Sequence, residues 1–162
     1  MKYSDIVAFW EAGREKWREY EFEVGKVAAF ILDFFRKKLE LKTKEEERFL
    51  LLFPLKEKDG EKIRTTWYAP FACVEFIESG WANVGLMLLL QVDENTWPKK
   101  QFVFKILIKK QENIWLVKIA ENGTEHKLKE DSQENDLESL FDEFISLIKF
   151  QTVDSLKHWL DG

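Results

Sequence analysis

Apolar and small residues recur at three- and four-residue steps through Ile6, Phe9, Trp10, Gly13, Trp17 and Tyr20, and with Ser4 as cap they predict a helix over about 5–20. From Arg18 to Gly25 the pattern alternates instead, Tyr20, Phe22 and Val24 against Glu19, Glu21 and Glu23, and this change of period is read as a helix break. A second helix is expected over 26–39. There Val27, Phe30, Ile31, Phe34 and Phe35 form a face that Ala28, Ala29 and Leu32 widen until two neighbours are needed to bury it.

The period then shortens to two. Arg48 to Leu55 is a compact apolar run and Glu61 to Ala69 alternates, so the turn residues Lys58-Asp59-Gly60 between them predict an antiparallel hairpin, with Pro54 at an edge or bulge. Over 70–79, Pro70 as a first helical residue and Gly80 as a stop favour a short helix over a strand. Strands are expected over 84–92, 101–109 and 113–119. In the second of these Phe102, Phe104, Ile106 and Ile108 share a face that Lys105 and Lys109 do not, which predicts a sheet with one wet side. Asn122-Gly123 should turn 126–129 back as a short edge strand. Leu137, Leu140, Phe141, Phe144, Ile145 and Ile148 then mark one side of a helix over about 136–149, which puts Glu138, Asp142 and Glu143 on the solvent side, and Thr152 can cap a last short helix. The order predicts an α+β fold: an antiparallel sheet of about five to six strands, flanked on one face by N-terminal and C-terminal helices, in one domain over 1–162.

Composition narrows the function classes. A chain of 162 residues with 7 Gly and 3 Pro can bury one core and has no linker-like stretch. Its net charge of −5 argues against a nucleic-acid or anionic-membrane binder, since phosphate contacts need cationic surface. The charge is uneven, with 131–162 the acidic part. Cys73 stands alone among Phe71, Ala72 and Val74, so it is read as a packing residue in a reducing compartment, and the protein as cytoplasmic. Residues 1–16 lack the apolar run of a secretory signal, and the longest apolar stretches fall far short of a bilayer span.

Candidate chemistry is sparse. His126 and His158 lack metal-ligand spacing, no residue pattern calls for a cofactor, and there is neither a nucleophile elbow nor a glycine-rich phosphate loop. The carboxylate runs Asp93-Glu94 and Glu45-Glu46-Glu47 adjoin turns and read as solvated, as does His126. Trp10 and Trp17 are assigned to the core. Trp97, in the polar loop 93–98, is the aromatic best placed as a contact anchor. By elimination the chain is expected to be a small non-catalytic protein that binds another protein, as an inhibitor, antitoxin-like neutraliser or adaptor. Trp97, Glu138, Asp142 and Glu143 are its candidate binding residues, and the acidic field suits a basic partner. The alternative is a small-ligand-binding or carboxylate-based hydrolytic enzyme, with a pocket between the sheet and the 26–39 helix. These residues leave the oligomeric state open.

Overall fold

The computed structural model describes residues 1–55, 68–90, 100–129, 135–154 and 160–161, with 78, 135–136 and 153–154 described by backbone alone. The expected α+β architecture is present: a six-stranded antiparallel sheet carries a long N-terminal helix and a C-terminal helix. The paired hairpin partner expected over 61–69 falls mainly outside the described residues, as do Trp97 and His158.

The two N-terminal helices expected on either side of a break are one. Helix α1 runs from Tyr3 to Lys38, 36 residues, a length of about 54 Å. Gly25, which looked like a breaker, is where another segment crosses: a Cβ there would lie 2.9 Å from the Phe71 backbone nitrogen, so glycine serves close packing rather than interruption. Asp5 accepts the Lys2 N–H at the helix start, and Arg36, Lys37 and Lys38 complement the dipole at its end. Helix α2, Lys44–Glu47, begins with a capping box in which Thr43 Oγ1 accepts the Glu46 N–H while the Glu46 carboxylate accepts the Thr43 and Lys42 N–H groups.

Strand β1, Leu50–Phe53, pairs with β3, Ala82–Leu90, in the register Leu50↔Leu88 to Phe53↔Gly85. The 70–79 stretch divides between both of its readings. Pro70–Cys73 and Glu78–Gly80 are 3-10 turns, and between them β2, Glu75–Phe76, pairs with Asn83 and Ala82 of β3. So β1 and β2 lie end to end along one side of β3. Strands β4, Lys100–Gln111, β5, Ile114–Ile119, and β6, His126–Lys129, continue the sheet as an antiparallel meander. Helix α3, Asn135–Lys149, passes into one π-helical turn, Phe150–Asp154. Thr152 lies within this turn, and its hydroxyl donates back to the Ile148 carbonyl at 2.8 Å; the last short helix expected after it falls mainly outside the described residues.

The core lies between one face of the sheet and the two helices. Val24, Ala28, Ile31 and Phe35 from α1 and Leu137, Leu140 and Phe144 from α3 are fully covered there, against Val84, Leu86, Ile106, Ile108 and Val117 of the sheet. Phe35, Phe141, Phe144 and Phe104 form a chain of ring contacts across it. The other face is not the wet one the alternation suggested. Leu51, Phe53 and Met87 cluster on it with Leu55 and Tyr68, and Leu107 and Leu116 are buried as well.

Arg36 ties α1 to the start of the sheet. Its side chain is 11% exposed, and the guanidinium donates twice to the Leu50 carbonyl and once to that of Glu47, at 2.8–3.1 Å, with the Glu47 carboxylate 3.9 Å away. Burial lowers its pKa from the ordinary value, while Glu47 and Asp33 act to raise it. Arg36→Ala should cost about 2–3 kcal/mol in urea unfolding, because two carbonyls lose a charged donor, and Arg36→Lys should recover only part of that, lacking the fork. Equal stability of Arg36→Lys and wild type would show that charge alone matters.

Candidate functional site

The acidic residues chosen from the sequence are divided by the structure. Glu138 and Asp142 do lie on the outer side of α3, but Glu138 accepts an ion pair from Lys38 at 3.0 Å, and only Asp142 is fully outward. Glu143 is turned the other way: its two carboxylate oxygens take the Thr124 N–H and His126 Nε2, so it stitches α3 to β6. With side-chain exposures of 10% for His126 and 21% for Glu143, this is a packed pair rather than the solvated histidine expected. The Glu45-Glu46-Glu47 run is likewise structural in part, through the Thr43 cap and Arg36. Lys105 holds the exposed Glu121 carboxyl below its usual range by a 2.9 Å hydrogen bond. Among the described residues no three His, Cys, Asp or Glu side chains are grouped to hold a metal ion. The interface between the sheet and 26–39, where a ligand pocket was the alternative, is filled by Val24, Ala28, Ile31 and Phe35.

The prominent surface is one that sequence reasoning assigned to the core. Trp10 and Trp17 are 62% and 58% exposed, with Tyr3, Ile6 and Phe9 at 82%, 53% and 69%. The reason is geometric. At 100° per residue, Ile6, Trp10, Gly13 and Trp17 fall within an arc of about 60°. Eighteen residues, five helical turns, further on, Val24, Ala28, Ile31 and Phe35 occupy the same arc and are fully covered or nearly so. The helix thus carries one apolar stripe twice, and the sheet covers only the second copy. Periodicity identified the face; the excess length of α1 over the body beneath it was the missing signal.

Tyr20 marks the boundary. Its hydroxyl donates to the Gly80 carbonyl and accepts the Lys110 N–H, at 3.3 and 3.1 Å, and its ring stacks on Phe76 and Trp115. Lys110 also reaches Glu23 at 3.3 Å. Just before this pin, Trp17 meets Phe76 edge to face at 4.8 Å, and the two help line a groove of about 410 Å³ that also touches Ile77, Lys109 and Glu112. A wider trough, about 750 Å³, follows the charged back of α1 from Glu11 to Lys26, where acids and bases alternate with only Phe22 as an apolar element.

Two further features lie on the sheet. Trp81 sits under the ammonium groups of Lys118 and Lys109, 4.6 and 5.8 Å from its ring centre. Asn83, 5% exposed, has a buried side-chain oxygen without a hydrogen-bond partner among the described residues. No helix among the described residues is long and apolar enough to cross a membrane. Comparisons with protein-family models, with curated proteins and with solved structures find no match to this chain.

Proposed function

We propose that the chain acts by docking to protein, in the cytoplasm, as an inhibitor, antitoxin-like neutraliser or adaptor does, and that the first half of α1 is its docking surface. One observation carries this reading: five large apolar side chains of 3–17 stand more than half exposed along a single helix, in an arrangement that soluble chains keep for partners. Trp and Tyr at such positions supply most of the contact energy at low cost in side-chain entropy. Asp142 and the acid excess of 131–162 add a field that would draw a basic protein toward the same molecule.

The test is covalent capture. Phe9→p-benzoylphenylalanine places a photoreactive ring on the exposed stripe, and Ala8→p-benzoylphenylalanine places it on the back of the same helix turn. On irradiation in cells the first should give protein adducts at roughly 10-fold the yield of the second, since reactive carbons lie within reach only where a partner packs. Equal yields would overturn the reading.

A further inference from the structure

We infer that the occupant of this stripe is a second copy of the chain, its α1 antiparallel to the first and centred between residues 11 and 12. The inference rests on the docking reading and goes on to name the partner. A twofold interface must be self-complementary, so each feature of the stripe needs its match on the same stripe read backwards. Reversal about that centre sets residue i opposite residue 23 − i of the other copy, and the matches follow from the sequence.

Trp10 comes opposite Gly13. A glycine within a helix is a liability to that helix, and nothing lies within 4 Å of where its Cβ would be. In the pair it forms the notch that receives Trp10, and the symmetry makes the fit twice. Ile6 comes opposite Trp17 and Tyr3 opposite Tyr20, which delivers Ile6 and Tyr3 of the second copy to the groove beside Trp17, Phe76 and Ile77. The contact uses the whole exposed half and stops at Tyr20, where the body begins, so the two bodies lie at opposite ends of the joined helices.

Charge follows the same reversal. Lys16 falls on one flank with Asp5 of the second copy, and on the other the Arg14 guanidinium covers Trp10 at 5.3 Å. A parallel pair would instead bring Lys16 on one flank beside Arg14 and Arg18 on the facing flank of the other copy. The area is adequate. The rings of Tyr3, Phe9, Trp10 and Trp17 expose on the order of 500 Å² per copy, and Ile6, Val7 and the flanking stems bring this toward the ~800 Å² per partner of a stable interface.

The experiment uses the purified full chain. Sedimentation should show dimer at micromolar concentration, with Gly13→Leu raising the dissociation constant at least ~10-fold by filling the notch, and Trp10→Glu leaving a folded monomer by circular dichroism. Nitroxide labels on Glu19→Cys and, separately, on Ala12→Cys then give the direction; Cys73, 1% exposed, is shielded from the reagent. In an antiparallel pair the two Glu19 labels are offset by ~22 Å along the axis while the Ala12 labels lie side by side. Equal distances at the two sites would mean a parallel pair and would overturn the proposal. So would a monomer at 100 µM, taken as about 100 times the expected dissociation constant. Adducts from Phe9→p-benzoylphenylalanine with other proteins only would leave the docking reading standing and remove the second copy. Binding of the monomer to phosphatidylserine vesicles without self-association would assign the stripe to a lipid surface.

Discussion

Phe35→Ala is expected to lower the free energy of unfolding by about 4 kcal/mol, as befits a fully buried aromatic whose removal leaves a cavity. Phe35 is 0% exposed and joins the two helices, with its ring 4.8 Å from that of Phe144 and 5.3 Å from that of Phe141. The surrounding rings are held by the sheet through Phe104 and cannot close the space by small shifts. For a domain with some 5–15 kcal/mol in total, such a loss is a large share of stability. The comparison that gives the result meaning is Trp17→Ala. Trp17 occupies the same arc of the same helix five turns earlier but is 58% exposed, so its loss should cost the monomer no more than about 1 kcal/mol in urea unfolding below the concentration at which copies pair. Similar costs for the two would mean that the first half of α1 is covered in solution by the chain itself.

The second large effect is expected at Gly85. A Cβ there would stand 2.7 Å from both the ring and the carbonyl oxygen of Phe53, its register partner on β1. The ring lies over the glycine, covering backbone that a side chain would otherwise shield, a device that helps fix the register of neighbouring strands. Gly85→Val forces the ring off and pushes β1 away from β3, at a cost of about 3 kcal/mol. Pairing it with Phe53→Ala should be less destabilising than the sum of the two single changes, because the clash with the ring is then gone and only that with the carbonyl oxygen remains. Additive costs in thermal or urea unfolding would place the strain elsewhere.

Several of these features were legible in the residues and several were not, for identifiable reasons. The meander β3 to β6 was visible because its runs are strand-length and its connections short. Phe102 and Phe104 went to the core, away from Lys105, by alternation alone. The pairing of β1 with β3 was not legible because turn chemistry speaks only for neighbours, whereas Leu50 lies opposite Leu88, 38 residues on. The break expected near Gly25 failed because charged residues alternate there by chance of the helix surface, while Tyr20 and Val24 stay on the buried side. A helical wheel likewise knew that Glu143 was not on the apolar side of α3. It could not know that a helix lying on a sheet has flanks, and that β6 would meet this one with His126. Trp97 lies outside the described residues, and the exposure of Trp10 escapes periodicity because a stripe marks a face, whereas exposure is set by how far a helix outruns its support.

One helix with a covered half and an exposed half solves a difficulty that a free-standing segment of the same sequence would face. Starting a helix in water is costly, and segments shorter than about 15 residues rarely persist alone. In α1 the start is already made: the turns from Val24 onward are held against the sheet, and those before Tyr20 need only add residues to an existing end, one hydrogen bond at a time. Growth from a seeded end escapes the initiation penalty, so the exposed turns keep their shape even across Gly13, and the aromatic rings arrive at a partner with their spacing already set.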